Sequence, residues 1–203
     1  MKTPFRSITM FQPLMWLALL LISSYAEAHT GPGAHTSLGG GWLHPLSGLD
    51  HLLAMLAIGA WSCQMGGRAI WIVPSAFVGS MILGGLLGFQ QINLPGVELG
   101  ITLSVVLLGL AIGLERTFPV VIAALAVGIF GLFHGYAHGY EMPVMDNKLT
   151  YTLGFVATTV TLHVVGAVTA LLLLKLSSGS RILRLLGWAC ALSGVWLMFQ
   201  LYQ

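Results

Sequence analysis

Two short segments concentrate side chains that bind metal ions. Each carries three imidazole or carboxylate groups: His44, Asp50 and His51 in residues 44–51 (HPLSGLDH), and His134, His138 and Glu141 in residues 134–141 (HGYAHGYE). Imidazole and carboxylate together form a ligand set that divalent transition metals accept. The rest of the chain has few polar side chains, and ionisable groups in an apolar chain mark functional sites. We therefore predict one metal site built from both segments.

The first segment is predicted to open a helix. Pro45 suits the first helical position, which places His44 at the cap and puts His44 and His51 along one face. Asp50 points about 100° away from His51. It either ligates the ion from the flank or fixes the tautomer of a ligating histidine. The simpler alternative is a helix cap with a polar entry to the membrane.

The second segment has helical spacing. His134 and His138 are four residues apart and Glu141 follows three later, which places three ligands on one ribbon of a helix. Tyr136 and Tyr140 would suit an aromatic belt at the membrane surface. A belt explains the tyrosines, whereas two histidines and a glutamate at this spacing favour metal binding.

Three further residues are weaker candidates for the metal route. Glu98 is predicted in the first turn of a helix, at the same level as the two segments. His163 falls near or beyond the middle of a long apolar run, so it is either a second station for the ion or a histidine bonded to Thr158, Thr159 or Thr161. His29, if it is the mature N-terminus, could chelate through its amine and imidazole, or belong to a disordered tail.

Composition places the chain in a membrane. Of its 203 residues, 57% are hydrophobic and 7% are charged, against about 25% charged residues in soluble domains. The mean hydropathy is +0.90. The basic residues are scattered, with no stripe that could follow a phosphate backbone, so nucleic acid is not an expected partner. Cys63 and Cys190 are isolated and are predicted to be packing residues.

The N-terminal segment resembles a secretory signal. Lys2 and Arg6 precede an apolar stretch, and Ala26-Glu27-Ala28 supplies a cleavage pattern. We predict a signal peptide at 1–28 and a transmembrane domain at 29–203. The alternative is an uncleaved first span. The expected fold is an all-α integral membrane protein whose six apolar runs form helices: about 42–62, 70–89, 97–114, 119–138, 150–175 and 182–202.

The distribution of basic residues gives the orientation. With the mature N-terminus outside, only Lys148 lies in an outer loop or flank. The inner loops and flanks hold the other five: Arg68, Arg116, Lys175, Arg181 and Arg184. Basic residues prefer the cytoplasmic side, and an exported N-terminus requires the same arrangement. The expected location is the inner membrane, with the metal site facing the periplasm.

Glycines suggest how the helices approach each other. Gly131, Gly135 and Gly139 recur every four residues, and such a stripe lets another helix pack closely. The repeats at 84–88 and 109–113 are interpreted as ordinary helix packing.

At these residues the chain resembles the HupE/UreJ family of membrane proteins, which is associated with nickel uptake for hydrogenase and urease. The family pattern His-Pro-x-x-Gly-x-Asp-His is matched at 44–51, and Phe-His-Gly-x-Ala-His-Gly-x-Glu at 133–141. Glu98 matches a further acidic position. The resemblance extends over the whole mature chain. It implies permeation of nickel, with cobalt as the second candidate, and supply of the metal to hydrogenase or urease maturation.

Chemistry alone leaves the metal open, because the same ligands accept nickel, cobalt, zinc and copper, and raw affinity favours copper. The ion is the substrate, and the leading interpretation is a secondary permease and not an enzyme. The sequence has no nucleotide-binding loop of the Gly-x-x-x-x-Gly-Lys type, so this chain is not expected to hydrolyse ATP. The alternatives are an intramembrane zinc-dependent hydrolase, a copper- or zinc-handling membrane protein, and bis-histidine haem binding. Assembly into a homo-oligomer is left open.

Overall fold

The computed structural model describes residues 38–141 and 147–203. The predicted signal peptide (1–28), its cleavage after Ala28, and His29 lie outside the described residues. These predictions are therefore not addressed by the helices that follow.

The described part of the chain is entirely α-helical. Its helices, in chain order, are α1 (Leu38–Ser47), α2 (Leu49–Met65), α3 (Ala69–Phe89), α4 (Val97–Gly113), α5 (Val120–Glu141), α6 (Lys148–Leu174) and α7 (Gly179–Gln200). The residues at several helix ends explain why the helices begin or end there. Gly66 and Gly96 adopt positive φ angles of 74° and 72° at the end of α2 and the start of α4, a conformation that glycine tolerates best. The Asn147 side chain caps α6 by accepting from the Thr150 amide.

The first predicted helix is two helices. The run expected at 42–62 is broken at Gly48, and α1 and α2 meet at 85°. Pro45 lies inside α1 and His44 lies in its last turn. The prediction that Pro45 opens a helix with His44 as its cap was therefore wrong, and so was the single face shared by His44 and His51. The extended backbone of Gly48 (φ −93°, ψ 120°) makes the corner.

The helices have the length and composition of membrane spans. The four longest, α3, α5, α6 and α7, each suffice to cross a bilayer, and the bent pair α1–α2 makes a fifth if it counts as one span. The 17 residues of α4 form a shorter apolar helix. Over its described residues the chain is thus a helical, multi-pass membrane protein, as predicted, whereas the count of six spans stays a prediction.

Glycine-lined contacts join the helices in pairs. A Cβ added to Gly131, Gly135 or Gly139 of α5 would overlap backbone atoms of α3, and one added to Gly84 or Gly88 of α3 would overlap backbone atoms of α5. The predicted glycine stripe on α5 is confirmed. The glycines of the 84–88 repeat form the surface of α3 that packs against it. Small residues let helix backbones approach closely where water is absent.

Close glycine contacts also join the other pairs of helices. Gly59 of α2 lies on the backbone of α6, and Gly166 of α6 lies on the backbone of α2. Gly41 and Gly154 do the same for α1 and α6. Gly109 packs against α7 around Gly187 and Ala191. Because these backbones are in contact, side chains near the interfaces have little freedom to shift relative to each other.

Candidate metal centre

The corner at Gly48 positions the first two histidines. His44 ends α1 and His51 begins α2, and the Ser47 hydroxyl closes the turn by donating to the His44 carbonyl at 2.7 Å. A Cβ on Gly48 would lie 2.8 Å from Asp50 Oδ1 and 3.1 Å from His51 Nδ1. Glycine therefore leaves room for the Asp50 and His51 side chains to fold back against the corner.

Asp50 orients the ring of His51. One carboxylate oxygen, Asp50 Oδ1, accepts from the His51 backbone amide at 2.8 Å and lies 2.8 Å from His51 Nδ1. A carboxylate acceptor places the proton on Nδ1, which leaves the lone pair of Nε2 for another partner. Of the two roles predicted for Asp50, the structure favours the one that fixes the tautomer.

Helix α5 brings the second pair of histidines to His51. His138 is 4% exposed and His134 is fully buried. His138 Nε2 lies 2.7 Å from His51 Nε2, a contact between residues 87 positions apart in the sequence. The His51 ring centroid lies 4.9 Å from that of His134 and 4.5 Å from that of His138. The two predicted segments therefore meet around His51.

The remaining nitrogen of His134 is available to a ligand. His134 Nδ1 donates to the Phe130 carbonyl of the preceding turn at 2.9 Å, which leaves Nε2 as the acceptor. That Nε2 is buried and has no hydrogen-bond partner among the described residues. Buried polar atoms are normally paired, so an unpaired lone pair beside His51 indicates a place for a cation or water.

A second group of ligand atoms shares His138. One ligand atom each from His44, His138 and Glu141 lies within 4.8 Å of the others. The His44 and His138 rings meet edge to face at 4.6 Å. His44 is partly buried and Glu141 is exposed. We call His44, Asp50, His51, His134, His138 and Glu141 the histidine cluster; it runs from an exposed carboxylate to a buried imidazole.

Aromatic rings enclose the cluster. Phe155 lies 4.2 Å from the His138 ring, Tyr151 lies 5.8 Å from His44, and Phe77 lies 5.3 Å from His134. Sequence reasoning missed these three side chains. The four-residue spacing of Tyr151 and Phe155 on α6 is a signal that could have found two of them. An apolar wall lowers the local dielectric, which strengthens interactions between the ligands and a cation.

The geometry suits an ion after a small adjustment. Nitrogens bound to one metal at about 2.1 Å stand about 3.0–3.4 Å apart, depending on the coordination geometry. His51 Nε2 and His138 Nε2 are 2.7 Å apart, which is a hydrogen-bond distance. One proton therefore lies between the two nitrogens, and an ion that replaces it needs the rings to separate by a few tenths of an ångström.

The His51–His138 pair does not have the spacing of a bis-histidine haem site. A bis-histidine haem needs two imidazoles on opposite faces of a flat macrocycle. Here the two Nε2 atoms of His51 and His138 are 2.7 Å apart, so no macrocycle fits between them.

Glu98 lies outside the group of ligand atoms. It is exposed in the first turn of α4. Two residues later, Gly100 is so close to the Phe133 ring of α5 that an added Cβ would lie 2.5 Å from it. The start of α4 thus packs beside the residue that precedes His134. A role for Glu98 in the metal route stays a prediction.

His163 is buried at 4% exposure, deeper along α6. Of the two alternatives given for it, the bond to a neighbouring threonine is not made, and the role of a second station for the ion stays a prediction. The hydroxyls of Thr158, Thr159 and Thr161 donate to backbone carbonyls of Trp42, Phe155 and Ala157. Both ring nitrogens of His163 have no hydrogen-bond partner among the described residues.

Comparison with known proteins agrees with the motifs. Residues 17–197 match the family model described as HupE / UreJ protein. The chain is also 48% identical, over 182 residues, to Protein HupE of Rhizobium leguminosarum bv. viciae; the match covers 90% of this chain and 94% of that protein. No solved structure matches.

Proposed function

This chain belongs to the HupE/UreJ family, and on that premise we propose that it is a secondary permease for a divalent transition metal, nickel first and cobalt second. The histidine cluster would capture the ion at the outer side of the inner membrane. One observation carries the proposal: within an apolar helical bundle, four histidines and two carboxylates from three helices converge around His51 and His138.

Capture begins at the exposed end of the cluster. Glu141 is exposed and shares a ligand group with His44 and His138. A carboxylate at the entrance attracts a hydrated cation and replaces part of its water with oxygen ligands. The buried imidazoles then take the ion deeper, because neutral nitrogen donors suit nickel and cobalt.

The His51–His138 contact couples capture to a proton shift. Neutral imidazole is the ligand, so an ion held by both Nε2 atoms would require the proton between them to move. The Nδ1 of His138, which has no hydrogen-bond partner among the described residues, can accept it. Asp50 supports the exchange by holding the Nδ1 proton of His51 and by adding negative charge beside the cation. The ligand set contains no sulfur, which disfavours soft Cu(I).

The orientation follows from charge. Lys148 is the one basic residue of the predicted outer flanks, while five basic residues occupy the inner loops and flanks, as expected for cytoplasmic segments. The cluster lies where α5 ends and α6 begins, beside Lys148. We therefore place it at the periplasmic face, from which an inward-moving cation gains energy from the membrane potential. Hydrogenase or urease maturation would be the consumer of the metal.

Nickel uptake by proteoliposomes tests the proposal. We expect wild-type vesicles to accumulate Ni²⁺ and, less strongly, Co²⁺, and we expect His51→Ala and His138→Ala each to abolish accumulation without loss of membrane insertion. Tyr140→Phe is the matched control, because Tyr140 lies on the same helix and is 51% exposed. Wild-type accumulation in both alanine variants would refute the proposal. A hydrolase would instead show substrate turnover without metal entering the vesicle.

A further inference from the structure

Among the described residues, His163 is the one histidine that the proposed capture site does not use. It lies 12 residues beyond Tyr151 on α6, or about 18 Å at 1.5 Å per residue. Its ring is 4% exposed, and neither ring nitrogen has a hydrogen-bond partner among the described residues. Both ring nitrogens of an imidazole can form bonds. Because neither is used, His163 can still bind a ligand inside the bundle.

A cavity of about 610 Å³ adjoins His163. Its wall includes Cys63 near the end of α2, Trp71 near the start of α3, and Leu171 near the end of α6. The histidine cluster lies at the opposite ends of these helices, since it contains the start of α2 and adjoins the start of α6. The cavity therefore lies between His163 and the end of the bundle away from the capture site, and its wall includes apolar side chains exposed at the bundle surface, such as Trp71.

A single aromatic ring stands between His163 and the cluster. The Phe77 ring meets His134 at 5.3 Å and His163 at 5.3 Å, edge to face in both cases. On the cluster side, His134 Nε2 also lacks a partner among the described residues. Two buried imidazoles with unpaired nitrogens thus flank one phenyl ring.

We propose that His163 is a second, inner binding station for the same divalent cation, which it receives from His134. This inference rests on the proposed function and adds the step that follows capture. A divalent cation is costly among apolar side chains, so an ion that leaves the cluster is held where the buried His163 ring supplies a ligand.

Cys63 offers a native reporter for this station. It is a free thiol that lines the same cavity. Gly59, one helical turn before Cys63, packs on the His163 carbonyl, so an ion at His163 lies within about one turn of the thiol. We would measure alkylation of Cys63 by N-ethylmaleimide in inverted membrane vesicles, with Ni²⁺ as the probe. A Cys190→Ala background removes the other thiol, which packs against the Val105 carbonyl.

We expect Ni²⁺ to slow the alkylation of Cys63 about tenfold, because a bound cation blocks or ligates the thiolate that reacts. His163→Ala should abolish this protection and leave the metal-free rate unchanged. Val165→Ala is the matched control, because Val165 is exposed on α6 and does not line the cavity, and protection should persist there. In proteoliposomes, His163→Ala should lower Ni²⁺ uptake while retaining binding at the histidine cluster.

Three results would overturn the proposed inner station. Cys63 is not alkylated at all, Ni²⁺ does not slow its alkylation, or Ni²⁺ protects Cys63 equally well in His163→Ala and in the parent protein. Nickel reaches the inner face directly in inverted vesicles, so the measurement does not depend on capture. Protection of Cys63 should therefore persist in His51→Ala. If wild-type proteoliposomes take up no nickel, the proposed function fails, and the protection experiment still decides whether His163 binds a cation.

Discussion

At the scale of single residues, the histidines of the cluster differ in which nitrogen they offer. Asp50 holds Nδ1 of His51, and the Phe130 carbonyl holds Nδ1 of His134. In both rings, Nε2 is therefore the nitrogen that is available to a ligand. His138 presents its Nε2 to His51. Three rings thus direct the same type of nitrogen toward a common region, which is the arrangement that neutral imidazole ligation requires.

The role of Asp50 gives a graded prediction. Asp50→Ala removes the acceptor that fixes His51, so Ni²⁺ affinity should fall about 10–100-fold, as for other groups that orient metal ligands. Asp50→Asn retains an acceptor oxygen but not the charge, so its Ni²⁺ affinity should fall less. Titration calorimetry of the purified protein measures both. Glu115→Gln is the control, because Glu115 lies beyond the far end of α4 and bonds Ser180. Equal affinity in wild type and Asp50→Ala would contradict this role.

Proton competition gives a second prediction at this scale. Only neutral imidazole binds the ion, so protons and Ni²⁺ compete for the same nitrogens. Ni²⁺ affinity should therefore decrease as the pH is lowered from about 7 until the cluster imidazoles are protonated. Calorimetry in buffers of different ionisation enthalpy should also detect proton release on binding at the acidic end of this range. An affinity that stays constant across this range would exclude a site dominated by histidine.

At the scale of helices, glycine decides which elements can meet. The α3–α5 contact places glycines on both faces, so His134 and His138 are fixed at the level of Met81 and Gly85. The regular four-residue spacing made the α5 stripe predictable. The corner at Gly48 was not predictable from spacing, because Pro45 fits the first turn of one helix as well as the end of another. The extended Gly48 backbone becomes necessary only when Asp50 and His51 pack against it.

Gly135 tests the helix contact directly. A Cβ there would overlap the Met81 carbonyl, so Gly135→Leu should separate α3 from α5 and destabilise the fold by about 1–3 kcal/mol. Nickel uptake should fall with it, since His134 and His138 flank this position. Gly79→Leu is the matched control, because a Cβ at Gly79 has no atom within 4 Å. Thermal unfolding in detergent measures stability; an unchanged midpoint and normal uptake for Gly135→Leu would refute the argument.

At the scale of the whole molecule, the sequence was sufficient to predict the family and a helical membrane protein. Apolar runs predicted the helices, and the two motifs predicted which residues converge. The aromatic enclosure was not predicted, because Phe77, Tyr151 and Phe155 come from helices whose pairing depends on backbone contact. Sequence alone also left two alternatives open for His163, because threonines lie nearby in sequence; in the structure their hydroxyls bond backbone carbonyls instead.

The central claim is that histidines from both motifs bind one divalent cation together. X-ray absorption at the nickel edge of the purified, nickel-loaded protein tests it most directly. We predict nitrogen and oxygen ligands at about 2.1 Å with the outer-shell scattering of at least two imidazoles, reduced in both His51→Ala and His138→Ala. A nickel spectrum without imidazole scattering, or one that neither substitution changes, would contradict the account.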